Sequence, residues 1–272
     1  MESVDAGSGE ASGSPTAFRP PLYPWLISWL ADAQGNIPNQ RIAILHWLLG
    51  VATSIGTYCV AKKMFSHDVR SHATNETAAL FAGCLVAVDP LLLRASSLVM
   101  TETLAAFLVV VTYWFWVRLN ESLHRKGNPS PWLALACLTG SVCGFAYLCR
   151  PTFVLWPLAM GGYIIVQGVV NRRAGEVNAG GIIIAILAVF VGVWMIRNDR
   201  VFDKPIWATT HGGYTLLLGN NDVFFDEVVR QPWGTTWQGE SLDAWQADLE
   251  RRTPAFAFAG DADRAAGARC SL

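Results

Sequence analysis

Long apolar segments constrain this chain more than any other feature. They lie at 43–61, 77–93, 103–117, 131–149, 152–170 and 180–196. A helix needs roughly 20 apolar residues to cross a bilayer, and a backbone in lipid can pair its polar groups only within a helix or a closed barrel. Because apolar and polar residues do not alternate with a period of two, the sequence predicts helices. The expected fold class is an all-α polytopic membrane protein with about six transmembrane helices.

Charged residues are few and nearly balanced in sign, which argues against a nucleic-acid partner. The chain is 52% hydrophobic and 15% charged, with a formal net charge of −1. A nucleic-acid-binding protein is expected to carry a basic stripe or patch, and none is present. Membrane lipid is therefore an expected partner and nucleic acid is not.

The positions of the basic residues predict an orientation. They follow the first, third and fifth apolar segments, as Lys62, Lys63, Arg70, Arg118, Arg125, Lys126, Arg172 and Arg173. The short loops between hold only Arg94 and Arg150. Cytoplasmic loops carry an excess of Lys and Arg. The three basic loops are therefore predicted to be cytoplasmic, and both ends of the chain extracytoplasmic.

The N-terminal region divides into a tail and an interfacial helix. Residues 1–17 are polar and rich in Gly and Ser, which predicts a disordered tail. This tail resembles no signal peptide, so we expect that a first spanning helix is missing. The alternative is a short tail pulled across the membrane by the first span. Within 18–33, Leu and Trp recur at helical spacing, which predicts an amphipathic helix in the outer interface.

The remaining domains follow from the hydropathy pattern. Residues 18–197 are predicted to form the transmembrane helical domain, and 198–272 an extracytoplasmic region that we expect to be incomplete. The apolar residues after Asp89-Pro90 suggest a partly re-entrant segment. Gly140 and Gly144 have the small-residue spacing that suits close helix packing.

Five charged residues are candidates for chemistry because they fall on the predicted outer side. They are Arg19, Asp89, Glu102, Arg150 and Arg197. Guanidinium groups match phosphate oxygens, and a carboxylate can act as a general base. Each residue also has a structural alternative. An arginine can extend to the interface, Glu102 can be favoured by a helix dipole, and Asp89 can simply end a span.

Other motifs carry little weight. The cysteines show no metal-ligand spacing and are interpreted as small core residues. Asp261-Ala262-Asp263 resembles a nucleotide-sugar motif but lacks the strands and helices that a nucleotide-binding fold requires. No P-loop is present, which excludes an ATP-driven pump.

Four segments in order carry a family resemblance. They are RPPLYP at 19–24, AVDPLLLRASSLVMTETL at 87–104, GFAYLCRPTFVLWPLA at 144–159 and WMIRNDRVFDKPIWATTHGGYTLLLGNND at 194–222. Together they resemble the GT-C glycosyltransferases of the dolichyl-phosphate-mannose protein mannosyltransferase and aminoarabinose transferase group. The resemblance covers about 18–222.

The resemblance implies an inner-membrane enzyme whose active site faces outward. It would move a hexosyl or pentosyl group from a polyprenyl-phosphate donor to a lipid, glycan or protein acceptor. No cofactor follows from it, and use of a divalent metal is left open. The implied substrate-binding residues are Arg19, Arg150, Arg197, Asn198 and Asn220. The implied catalytic residues are Glu102 and Asp89.

The sequence differs from the family at one point, and two alternative functions stay open. The family's catalytic Asp lies in the first outer loop, upstream of the RPPLYP-like segment, where this chain has only Glu2, Asp5 and Glu10. We therefore expect the chain as written to transfer little sugar. The rivals are a transporter or flippase for a lipid-linked or anionic substrate, and a non-catalytic scaffold. A transporter would be expected to show internal repeats, and the halves 43–117 and 131–196 show none.

Overall fold

Helices and turns account for all the structure in the computed structural model, which describes residues 17, 19–65, 72–125, 131–209 and 211–252. No strand occurs in these ranges. The predicted all-α fold is confirmed.

The helices follow one another through short turns. In chain order they are α1 (Leu22–Ser28), α2 (Asn39–Phe65), α3 (His72–Ala87), α4 (Pro90–Ser96), α5 (Glu102–His124), α6 (Trp132–Cys149), a 3₁₀ turn (Pro151–Val154), α7 (Leu155–Val170), α8 (Ala174–Phe202), α9 (His211–Gly219), α10 (Asp222–Phe224), a π-helical turn (Phe225–Val229) and α11 (Glu240–Arg252).

Five helices in the described ranges are long and apolar enough to span a membrane, and a bent pair raises the total to six. The five are α2, α5, α6, α8 and the helix formed by α7 with its 3₁₀ turn. The bent pair is α3 with α4, which meet at 47°. The total of six matches the six predicted apolar segments. The predicted re-entrant character after Asp89 stays a prediction, because a broken span gives the same bend.

The bend between α3 and α4 has a local cause. Pro90 lacks a backbone N–H and disfavours helical backbone at the residue before it. Asp89 accordingly has extended backbone angles, with φ −61° and ψ 117°. Its side chain then caps α4, so one residue both ends one helix and begins the next.

Helix α1 is shorter than the predicted 18–33 segment, since regular helix covers only Leu22–Ser28. Trp25 and Trp29 are exposed, while Tyr23 is buried. Tyr23 packs in a core cluster with residues of α5 and α6, among them Leu104 and Cys149. Helix α1 is therefore anchored on the bundle by one face.

Glycines let α6 and α7 approach α8 closely. A Cβ atom on Gly140 would lie 3.1 Å from Ile186, and one on Gly144 would lie 2.4 Å from the Phe190 ring. A Cβ atom on Gly180 of α8 would lie 2.5 Å from the carbonyl oxygen of Gly161 in α7. The predicted close packing of the fourth span, α6, is confirmed. Glycines also allow a close approach between α7 and α8.

The chain divides into two compact units. One is Pro20–Trp194, and the described part of the other consists of 195–209 and 211–252 with Ala17 and Arg19. The second unit has an aromatic cluster, in which Trp245 lies 5.3 Å from Trp237 and 6.4 Å from Tyr214 between ring centroids.

Candidate active site at the Arg150 end of the bundle

Arg150 is held in the tight turn between α6 and α7. Its backbone is extended, with φ −147° and ψ 118°. Its N–H donates to the carbonyl of Ala146 at 2.9 Å, and its own carbonyl accepts from the N–H of Phe153 at 3.0 Å. Pro151 restricts the backbone further. These constraints fix the Arg150 backbone, while its side chain remains 45% exposed.

Glu102 is the ion-pair partner of Arg150. It is the first residue of α5, where the helix dipole favours negative charge. Arg150 Nη2 lies 3.1 Å from Glu102 Oε1. The other oxygen, Oε2, is buried and has no hydrogen-bond partner among the described residues. The structure thus brings together two of the predicted site residues that lie 48 positions apart.

Packing beneath this pair fixes the two helix ends relative to each other. The Cys149 thiol lies 3.8 Å from the carbonyl oxygen of Thr101, to which it donates. Cys149 is 1% exposed and belongs to the same core cluster as Tyr23 and Leu104. The Glu102–Arg150 pair therefore rests on packed, buried side chains.

His46 was missed by the sequence reasoning. It is fully buried in α2, and its Nε2 lies 2.9 Å from the Tyr23 hydroxyl. Its Nδ1 lies 3.0 Å from the carbonyl oxygen of Ser96. A carbonyl can only accept, so Nδ1 carries the proton. His46 thereby links α1, α2 and α4. The sequence feature that could have identified it is an ionisable residue within an apolar span.

Asp89 acts as a helix cap. Its Oδ1 accepts from the backbone N–H groups of Leu91 and Leu92, each at 2.9 Å. Within the described residues it has no ion pair, and no contact joins it to Glu102 or Arg150. The structure therefore gives Asp89 a clear structural role, while its catalytic role stays a prediction.

Three more of the predicted residues lie in the second unit. Arg197 Nη1 donates to Asn198 Oδ1 at 2.8 Å, and Asn198 Nδ2 donates to the Ile206 carbonyl at 2.8 Å. Asn198 is fully buried, so it secures the turn after α8. Asn220 Nδ2 donates to the Leu216 carbonyl at the end of α9.

Arg19 also belongs to the second unit and is exposed. Arg150 and Glu102 belong to the first unit. The meeting of Arg19, Arg150 and Arg197 around one phosphate therefore stays a prediction.

A cavity of about 320 Å³ opens beside His46, between α2, α3, α4 and α5. Its lining is mainly apolar, as with Val51 and Leu92, and includes the polar side chains of Ser96 and Thr103. The Thr103 hydroxyl is buried without a hydrogen-bond partner among the described residues. Thus an apolar cavity with a few polar groups is lined in part by α5, the helix that begins with Glu102.

The fold and this site define a membrane protein of several spanning helices with a charged pair at one end of its bundle. A family model described as dolichyl-phosphate-mannose-protein mannosyltransferase matches residues 18–196. The chain belongs to this family of GT-C type membrane glycosyltransferases. The comparison with curated proteins found no match, and neither did the comparison with solved structures.

Proposed function

We propose that the protein transfers a sugar from a polyprenyl-phosphate donor to an acceptor on the extracytoplasmic face, with Arg150 binding the donor phosphate. The family supports a lipid-linked sugar donor in general terms. The observation that carries the finer assignment is the Arg150–Glu102 pair at 3.1 Å, on a fixed turn at the end of the bundle.

Arg150 has the chemistry that a phosphate needs. A guanidinium offers five N–H donors in a planar fork, and in this structure only Nη2 is engaged by Glu102. The side chain is 45% exposed, so donors remain accessible to a ligand. Charge-assisted hydrogen bonds from arginine to phosphate are among the stronger polar interactions in proteins.

Catalysis of this reaction depends mainly on stabilising the negative charge of the lipid phosphate as it leaves the sugar. Breaking the bond between the sugar and the lipid phosphate leaves negative charge on the phosphate. A fixed cation placed where charge develops lowers the barrier because it does not have to reorganise during the reaction. The extended backbone at Arg150, held by hydrogen bonds on both sides, provides such a fixed position.

Glu102 would hold Arg150 through Oε1 and orient the acceptor through Oε2. A buried polar atom without a hydrogen bond is uncommon in folded proteins. A hydroxyl or amine of the acceptor would supply the hydrogen bond that Oε2 lacks among the described residues. The cavity of about 320 Å³ beside His46 has an apolar lining that suits part of an isoprenoid chain.

The test compares the two arginines of the short loops that the sequence predicts to be extracytoplasmic. Arg150→Ala should weaken binding of polyprenyl phosphate by about 10- to 100-fold, the loss expected for a hydrogen bond to a charged group. Arg94→Ala is the matched control, because Arg94 is exposed on α4 and forms no ion pair with another described residue. Binding would be measured by titrating the lipid into purified protein. Equal, small losses in both variants would show that Arg150 only anchors the turn at the interface.

A further inference from the structure

A second cavity lies in the same unit, at the end opposite to Arg150. We call this end the basic end, because Lys63, Arg118 and Arg125 lie there. It has a volume of about 860 Å³ and is bounded by the last turns of α2 and α5 and the first turn of α6. Arg118 on its wall is 16 residues beyond Glu102 in α5. At 1.5 Å per residue, this places it about 24 Å from the Glu102–Arg150 pair.

The wall of this cavity carries more positive than negative charge. It includes Lys63, Arg118 and Arg125, against the single carboxylate of Glu121. Lys63 Nζ lies 2.9 Å from Glu121 Oε2. Neither Arg118 nor Arg125 forms an ion pair with another described residue, and both are exposed. Two positive charges on the wall of the cavity therefore have no ion-pair partner among the described residues.

A buried hydroxyl group lines the same cavity. Ser122 is 7% exposed, and its Oγ has no hydrogen-bond partner among the described residues. An unsatisfied buried hydroxyl costs free energy. A ligand that brings an oxygen acceptor into the cavity would satisfy it.

The remaining wall is apolar and aromatic. Tyr113, Trp116 and Leu135 contribute to it. The Arg118 guanidinium lies 5.6 Å from the centroid of the Trp114 ring, in the range of a cation–π contact. A cavity lined by both cations and apolar side chains fits a molecule with an anionic head and an apolar body.

We propose that this cavity binds the head group of an anionic phospholipid from the membrane leaflet at the basic end. Basic pockets between transmembrane helices on the cytoplasmic side are a recognised site for such head groups. Arg118 and Arg125 contact the phosphate, Ser122 Oγ donates a hydrogen bond to it, and the aromatic wall contacts the acyl chains. This site is separate from the proposed donor site and does not depend on sugar transfer.

The experiment is a lipid titration of the purified protein followed by native mass spectrometry. The probes are phosphatidylglycerol, which is anionic, and phosphatidylcholine, which is not. We expect phosphatidylglycerol to bind preferentially. The double variant Arg118→Gln with Arg125→Gln should bind it about 30-fold more weakly, because the two guanidinium groups that contact the phosphate are lost.

A charge-matched control separates the cavity from general attraction. Lys62→Gln with Arg172→Asn removes two positive charges from the same end, and neither residue lines the cavity. Asn is chosen because Arg172 has φ 55°, a conformation that Asn tolerates better than most residues. This control should bind phosphatidylglycerol like the native protein. Ser122→Ala keeps all charges and should weaken binding by about 2- to 10-fold, which provides a test if the double variant does not fold.

Three results would overturn the proposal. The first is equal binding by the double variant and its control, together with no change in Ser122→Ala. The second is equal binding of the two lipids by the native protein. The third is displacement of bound phosphatidylglycerol by millimolar inorganic phosphate, which would identify a site for a soluble phosphate rather than a lipid.

Discussion

Glu102 and Arg150 stabilise each other at the end of the bundle. A partly buried carboxylate needs a cation or hydrogen bonds to offset its desolvation, and Arg150 supplies the cation at 3.1 Å. In return, Glu102 restricts the rotamers of a long side chain. A guanidinium whose position is already restricted loses less entropy when it binds a phosphate. The pair is therefore better suited to binding than either residue alone.

Asp89 allows two interpretations that a pair of substitutions can separate. Asp89→Asn keeps an oxygen that can accept from Leu91 and Leu92 but removes the carboxylate. Asp89→Ala removes the cap as well. If capping is its role, Asp89→Ala should lower the stability by about 1 kcal/mol, while Asp89→Asn should retain both stability and donor binding. Thermal unfolding and lipid titration of the two variants measure this.

A catalytic Asp89 would differ from a capping Asp89 in sugar transfer and not in the stability of Asp89→Asn. Asp89→Asn would then lose sugar transfer, measured in a preparation that is active, while its unfolding temperature stayed unchanged. The hydrogen bonds of Oδ1 to two backbone N–H groups at 2.9 Å favour the capping result.

Helices α7 and α8 depend on glycine at their contact. A methyl group at Gly180 would lie 2.5 Å from the Gly161 carbonyl oxygen and 2.7 Å from Ile165 Cγ1. The first clash is with backbone, which cannot move aside without separating the helices. Gly180→Ala should therefore destabilise the protein by about 1–3 kcal/mol, the usual cost of overpacking.

The neighbouring glycine is the control for that substitution. A Cβ atom on Gly181 has nothing within 4 Å. Gly181→Ala should leave the unfolding temperature unchanged or raise it slightly, because alanine favours helix over glycine. Equal unfolding temperatures for Gly180→Ala and Gly181→Ala would show that α7 and α8 tolerate separation.

The spans were predictable because each is determined by its own residues. Apolar length alone located the helices, and Asp89-Pro90 located the bend. The partner of Glu102 was not predictable, because Arg150 is 48 positions away and local periodicity carries no information about that contact. The link from His46 to Ser96 spans 50 positions and was missed for the same reason. For α1, the helical spacing of Leu and Trp continues to Leu30, but regular helix ends at Ser28. The chain turns there, with the N–H of Leu30 donating to the Ile27 carbonyl and the N–H of Ala31 to the Ser28 carbonyl.

At the scale of the whole molecule, residues that flank the three basic loops meet at one end of the bundle. Lys63 of α2 pairs with Glu121 of α5 at 2.9 Å. Glu176 at the start of α8 lies 2.9 Å from Arg173 and 3.8 Å from His124 of α5. These contacts join the ends of α2, α5 and α7 to the start of α8. The positive-inside rule would place this end in the cytoplasm, and the orientation itself stays a prediction.

Reporter fusions test that orientation. A reporter that is active only in the cytoplasm should be active when fused after Lys126 and inactive when fused after Gly219. A reporter that is active only outside the cytoplasm should give the reverse. Cytoplasmic activity at Gly219 would contradict an extracytoplasmic C-terminal region.

The location of the donor phosphate tests the central claim most directly. Polyprenyl phosphate with a photoreactive group beside the phosphate would be crosslinked to the purified protein, and the modified residues would be mapped by mass spectrometry. Crosslinks should fall at 101–105 and 149–154, around the Glu102–Arg150 pair, and Arg150→Ala should reduce them. Crosslinks confined to 113–125 at the basic end, and unaffected by Arg150→Ala, would contradict the assignment of Arg150 to the donor phosphate.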